Sequence, residues 1–239
     1  MKHTLVYPLN TIQMKNTLTW AACAAAIALA SCGSAPAETD TKTETAPVKE
    51  EAKTAKTPEL IGGTYTIDTE ASTVNWKGTK ITNDSHVGTV NVYKGTINVI
   101  DKAISGAFVA IDMNSMICTD EGMDEEAKGN LIGHLKSDDF FGVEQFPNAQ
   151  IKINGVKVKG GVPIAYGSIS IRDISQPVQF PITISEDNGS IVVDASLTVD
   201  RSKHDVKFRS GAFPDLFPDL GDKLINDDIE LDVHIVATL

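Results

Sequence analysis

The sequence predicts an all-β domain over residues 61–239, an eight-stranded antiparallel barrel with one short helical excursion. Three observations predict it. Apolar and polar residues alternate with period two through most of the chain after Gly63, the pattern of strands with one buried face. Turn residues interrupt that alternation at hairpin spacing, most plainly at Asn188-Gly189. Only one stretch carries the periodicity of an amphipathic helix.

The late strands are the clearest. Val178, Phe180, Ile182 and Ile184 alternate with Gln179, Thr183 and Ser185. Past Asn188-Gly189, Ile191, Val193, Ala195, Leu197 and Val199 alternate with Asp194, Ser196, Thr198 and Asp200. Ile229, Leu231, Val233 and Ile235, set between Glu230, Asp232 and His234, complete the pattern. Earlier strands are expected over 65–68, 74–81, 88–100, 104–113, 149–158 and 164–172. In two of them the apolar parity changes at a glycine, Gly95 and Gly155, which reads as a bulge, the device that bends a barrel strand. The helix is expected over 123–136. Asp120 would cap it, Asp124, Glu125 and Glu126 fill its first turn, and Ala127, Leu131 and Leu135 share one face. Closure of the sheet is favoured because it removes exposed edges. A membrane-spanning barrel is disfavoured by the scarcity of aromatics for two interfacial girdles and by the acidic residues on the polar face of the last strands.

The first sixty residues have a different composition. Met14 and Lys15 open a basic start, and the apolar run Leu18 to Ala30 is too short to span a bilayer, so residues 1–31 read as a signal peptide. Residues 1–13 add nothing to such a segment, and Met14 reads as the better start. Leu29-Ala30-Ser31-Cys32-Gly33 resembles a bacterial lipobox, which implies cleavage before Cys32 and attachment of fatty acyl chains such as palmitate to it. Residues 32–60, rich in Ala, Thr, Pro, Lys and Glu, read as a disordered tether. Gly33-Ser34 lacks the aspartate that retains lipoproteins at the inner membrane, which points to the periplasmic side of the outer membrane.

A formal net charge of -11 argues against a nucleic-acid partner. Of the three cysteines, Cys23 and Cys32 lie in the N-terminal segment, so Cys118 has no disulfide partner in the domain and reads as a small buried hydrophobe. His86, His134, His204 and His234 have no metal-ligand spacing. Asp138-Asp139 and Asp227-Asp228 read as solvated turns rather than acid/base pairs. No nucleophile motif, phosphate loop or dinucleotide fingerprint is present, and neither enzymatic activity nor a cofactor is expected.

Several segments together carry a family resemblance. Tyr65-Thr66-Ile67-Asp68 with Ser72 to Trp76 forms an opening hairpin pattern, and Gly88 to Ile97 a glycine-marked long strand. His134-Leu135-Lys136-Ser137-Asp138-Asp139-Phe140-Phe141 leads into Phe146-Pro147. Gly167 to Arg172, Pro177-Val178, Leu197 to Arg201, Val206 to Gly211 and Leu220-Gly221-Asp222-Lys223 follow. On these motifs the chain resembles the YceI-like, lipocalin-like proteins from Tyr65 to Ala237. The resemblance implies an extended eight-stranded barrel whose apolar bore takes long isoprenoid or related amphiphilic chains, with no shared catalytic residues. The chain departs from many members at Ala71 and Lys80, where histidines are common, and at Gly142, where aspartate is common.

An eight-stranded barrel is about wide enough to enclose one small ligand. Trp76, Phe108, Met113, Met116, Phe140, Phe141, Phe146 and Phe180 are the candidates to line such a bore, because aromatic and methionine surfaces adapt to a flexible apolar chain. The alternative is that several of them simply fill the core. Arg172 and Arg201, at strand ends, could hold a diphosphate or carboxylate head group, or pair with Asp173 and Asp200. The expected function is that of an envelope lipoprotein, membrane-bound through acylated Cys32, that binds, sequesters or carries an isoprenoid-type or amphiphilic lipid. The alternative is a filled-core envelope protein acting through its surface.

Overall fold

The alternating pattern is realised as nine antiparallel strands in a computed structural model that describes residues 57–239. The expected signal peptide, Cys32 and nearly all of the tether lie outside the described residues. Leu60, assigned by composition to the tether, is 4% exposed and packs into the core, so the folded domain starts earlier than composition indicated.

The strands are β1 (Gly63–Lys80), β2 (Ser85–Ile100), β3 (Ala103–Cys118), β4 (Asn148–Lys159), β5 (Val162–Ile171), β6 (Ile174–Pro181), β7 (Thr183–Asp187), β8 (Ser190–Asp200) and β9 (Ile225–Thr238). They form one sheet in the order β6-β5-β4-β3-β2-β1-β9-β8-β7. The ninth strand arises where one was expected: the alternating run from Val178 to Ser185 divides at Ile182. Pro181 has no N–H to donate, and the Ile182 N–H turns to the Pro163 carbonyl at 2.9 Å. β6 pairs with β5, whereas β7 pairs with β8. No ladder joins the two edge strands, so the sheet is open where a closed eight-stranded barrel was expected.

The sheet is nonetheless curled. Ile97 of β2, Ala165 of β5, Phe180 of β6, Val193 of β8 and Ile235 of β9 line one interior. Two side chains bridge the start of β6 to a short 3₁₀ turn, Arg201–His204, that follows β8. Gln176 Nε2 donates to the Lys203 carbonyl at 3.0 Å, and His204 Nδ1 lies 2.9 Å from the Ile174 carbonyl.

The two ends of the sheet differ. At one end the hairpins close on two-residue turns with left-handed backbone, at Asp101 and Lys102 (φ 50° and 64°), Gly160 and Gly161 (58° and 85°), and Asn188 and Gly189 (49° and 84°). The opposite end carries helix α1 (Glu125–Lys136) between β3 and β4 and the irregular segment 205–224 between β8 and β9. The helix starts later than expected because Asp124, not Asp120, caps it, accepting from the Ala127 N–H at 2.7 Å. Asp120 instead lies 3.0 Å from His86 Nδ1.

Bulges bend the long strands. Register shifts fall between Val92 and Lys94 in β2 and between Ile153 and Gly155 in β4, where parity had changed in the sequence. β1 runs unbroken through residues expected to form two strands, and its register with β2 shifts between Thr66 and Val74. Asp68 Oδ1 accepts from the N–H groups of Glu70 and Ala71, each at 3.0 Å, and the buried Ser72 hydroxyl accepts from the Val236 N–H at 3.0 Å. Ser72→Ala should therefore leave that N–H without its partner and destabilise the domain by about 1–3 kcal/mol. A lowered urea midpoint at unchanged slope is the expected readout, and an unchanged midpoint would show that the bulge holds without the hydroxyl.

Candidate functional site

Inward-facing residues near the helix-bearing end leave a cavity of about 380 Å³. Its walls come from the second half of β1 and from the strand ends around it. Gly88 helps shape it: a Cβ there would collide with the Ile117 carbonyl and with the ring of Trp76 across the β1–β2 pair, so its absence lets Trp76 lie against the sheet. A second, smaller cavity of about 120 Å³ lies toward the tight-turn end and is lined only by apolar residues. Val74, Ile111 and Leu231 line both cavities, which adjoin there.

Trp76, Met113, Met116, Phe140 and Phe141 line the larger cavity, and Phe180 lines the smaller. Phe108 and Phe146 line neither. A bulge at Ser105, where Asn98 pairs with Gly106 and Val99 with Ile104, shifts the parity of β3. Ala107, Val109 and Ile111 therefore face inward, and Phe108 stands half-buried on the other face. Phe146 lies beneath the Arg172 guanidinium, 5.2 Å from its ring centre.

The roof over the larger cavity is an aromatic cluster that joins α1, the loop after it, and segment 205–224. The His134 ring stands edge-on to Phe140 (5.1 Å) and Phe208 (4.6 Å), Phe140 contacts Phe208 at 5.4 Å, and Phe217 backs Phe208 at 5.8 Å. Phe208 was not among the sequence candidates. It lies in a segment without periodicity, and only the family resemblance had marked Val206 to Gly211. Leu131 and Leu135, the shared helix face, also line the cavity.

Both candidate head-group arginines are engaged by the protein itself. Arg172, in a left-handed turn (φ 51°), donates from Nη1 to the Phe140 carbonyl at 2.6 Å and to the Asp138 carbonyl at 3.2 Å, and lines neither cavity. Arg201 does line the larger one, but it is 1% exposed. Its Nε donates to the Asn226 carbonyl (3.1 Å), Nη1 to Val206 (3.0 Å) and Nη2 to Ile225 (3.0 Å), while Nη2 lies 3.2 Å from Asp227 Oδ1. Burial pushes its guanidinium below the ordinary value, against the pull of Asp227 and Asp200. Of the paired carboxylates, Asp227 is thus a structural ion-pair partner. Asp200 serves the same turn: burial alone would raise its carboxyl, but the Ser202 hydroxyl, the Lys203 ammonium and the Ser202 N–H hold it below the usual carboxylate range. Cys118 is a buried free thiol. Among the described residues no group of three His, Cys, Asp or Glu side chains is arranged to hold a metal ion.

Fold and cavity together define a curled antiparallel sheet built around an apolar interior. The chain belongs to the YceI-like family, whose domain model matches residues 65–237. BcnA of Burkholderia cenocepacia has a similar structure, with a TM-score of 0.57 at 19% identity over 72% of this chain and 99% of that one. A polyisoprenoid binding domain from Saccharophagus degradans, implicated in plant cell wall breakdown, gives 0.54 at 14% identity over 73% of this chain and 97% of that one. At these identities the two likenesses show the fold. No curated protein sequence matches the chain.

Two predictions concern the turn that anchors the roof. Arg201→Leu removes the donors of three carbonyls and the partner of Asp227, and should destabilise the domain by on the order of 3 kcal/mol in urea unfolding. A loss within experimental error would show that the roof is held elsewhere. His204, 1% exposed beside Asp200 and Lys203, is pushed by burial below its ordinary pKa of 6.5. The unfolded chain then binds the proton first as pH falls. The contribution of the neutral ring is complete above about pH 6.5 and is lost as pH drops from there toward the folded value. Between pH 7 and 5 the wild type should lose more stability than His204→Gln, and equal losses would contradict the assignment.

Proposed function

We propose that this protein is an envelope lipoprotein that binds an isoprenoid-type or related amphiphilic lipid within its curled sheet, sequestering or carrying it without chemical change. The observation that carries the reading is the largely apolar interior of the curled sheet, with two adjoining cavities. The larger, about 380 Å³, falls within the range of about 300–1,000 Å³ typical of small-molecule sites. β1, of 18 residues, spans roughly 60 Å along its path, so chambers stacked along the strands suit a chain better than a globular ligand. Burying a hydrocarbon at about 25 cal/mol per Å² provides the driving force without specific polar contacts. The polyisoprenoid-binding description of the Saccharophagus degradans domain supports the same class of ligand.

In this reading Trp76, Met113, Met116, Phe140 and Phe141 contact the ligand in the larger chamber, and Phe180 contacts its tail. β6 and β7, separated by Ile182 alone, keep the two edges of the open sheet joined through the chain. Acylated Cys32 and the following tether hold the domain on the periplasmic side of the outer membrane.

Ala149 lines the larger chamber and is small enough to be a site for filling it. In the full chain, wild type should take up farnesol, measured by native mass spectrometry, and Ala149→Trp should keep its circular dichroism spectrum while binding at least about tenfold more weakly. A wild-type protein that takes up no prenyl chain would overturn the proposal, as would undiminished uptake by the folded variant.

A further inference from the structure

The tight-turn end of the sheet differs from the rest of the surface in what it shows to water. Among the described residues the four most exposed large apolar side chains are Leu239, Ile61, Val158 and Ile100, at 70%, 62%, 62% and 61%. All four lie at this end. Ile61 precedes β1, Ile100 ends β2 at the Asp101-Lys102 turn, and Val158 stands two residues before Gly160 in the β4–β5 turn. The Leu239 side chain occupies the place of a Cβ on Gly63, where β1 begins. One exposed leucine needs no explanation, but the most exposed apolar groups of a domain gathered at one end mark a contact.

The cations beside Val158 have no local counter-charge. On a chain of net charge -11, no Asp or Glu occurs between Glu144 and Asp173, a span that holds β4, β5 and Lys152, Lys157 and Lys159. The strands on either side, β3 as far as Ile111 and all of β6, contain none either. Lys157 and Lys159 flank Val158 in sequence, and their ammonium groups lie 5.5 and 5.4 Å from the centre of the Tyr166 ring. Two like charges held over one ring favour an anionic surface beyond them. At the other tips of this end, Glu59 pairs with Lys102 at 2.7 Å, Asp101 stands in the β2–β3 turn, and Glu186 and Asp187 make the β7–β8 tip acidic. The β7–β8 tip shows no exposed large apolar side chain, so the contact centres on the β4–β5 tip and the side of Ile61 and Ile100.

The path of the chain indicates the occupant. The Leu60 N–H donates to the Lys102 carbonyl at 3.4 Å, so the segment that leads from Cys32 reaches the domain beside Ile61 and Ile100. We infer that the tight-turn end, led by Lys157-Val158-Lys159, docks on a bilayer that contains anionic lipid. Its apolar tips enter the interface, and its ammonium groups meet the lipid phosphates. Docking at this end turns α1 and the roof away from the membrane. The inference rests on the anchoring part of the proposed function and adds which face of the domain meets the bilayer.

The test uses the full, acylated chain on phosphatidylcholine vesicles with and without phosphatidylglycerol. Brominated acyl chains should quench the added emission of Val158→Trp at least about threefold more than that of Leu216→Trp, which reports on segment 205–224. An introduced tryptophan itself favours the interface, so the wild type supplies a second readout. Modification of Lys157 and Lys159 by an amine reagent should slow at least about fivefold when phosphatidylglycerol is present, with Lys203 unchanged, and added salt should restore the rate. Equal quenching at the two positions, with Lys157 and Lys159 equally reactive on both vesicles, overturns the docking face and leaves the anchor standing. A chain that sediments with neither vesicle overturns the anchor as well. Protection of the two lysines that grows with protein concentration in detergent, without vesicles, assigns this end to a second copy and overturns the bilayer as its occupant.

Discussion

A guanidinium removed from water is stable only if its charge and most of its donors are satisfied, and Arg201 is nearly fully buried. Its acceptors are Val206, Ile225 and Asn226, with Asp227 as counter-ion, all on the chain segment that leaves β8 and re-enters the sheet as β9. One side chain therefore ties together both ends of segment 205–224. Because β9 lies between β1 and β8, the knot is fastened to the middle of the sheet rather than to an edge. The Ile225 N–H that holds Arg209 and the Leu224 carbonyl that receives the Ile81 N–H extend the same register. The positions of Phe208 over His134 and Phe140, and so the roof of the cavity, follow from it.

The two ends of the sheet consequently differ in how easily they open. The tight-turn end has little chain to move. At the roof, α1 has no fully buried residue and is held by a few directed contacts, such as Lys136 Nζ to the Asn114 carbonyl at 2.7 Å. The loop that follows it leans on Arg172. Local opening costs least where few apolar groups are buried, so α1, rather than the buried Phe140-Phe141 loop or the Arg201 turn, is the part of the roof that opens at least cost.

Period-two alternation made the strands from Val178 onward, the Asn188-Gly189 hairpin and the presence of bulges just before Gly95 and Gly155 legible, because each leaves a signal within a few adjacent residues. Alternation alone did not follow parity through the bulge at Ser105, although Gly106 adjoins it. The extra residue at Ser105 turns Phe108 away from both cavities. Nor could alternation show that Pro181 divides one alternating run between two ladders, since that depends on which neighbour each half meets. Arg201 and Arg172 were conspicuous as strand-end cations, but their acceptors are backbone carbonyls distant in sequence, which composition does not reveal.

The antiparallel all-β class, most of the inward-facing apolar set, the place of helix α1 and the family of the domain are legible in the chain alone. All of these are encoded in local periodicity and short motifs. Three features emerge only on folding: the sheet ends on two unpaired edges, Val74, Ile111 and Leu231 come to line both cavities, and Arg201 is spent on the fold while Arg209 lines the larger cavity. Those outcomes depend on which distant groups come to share a position. Burial, counter-charge and unfilled hydrogen-bond donors are properties of that shared position rather than of the residues themselves.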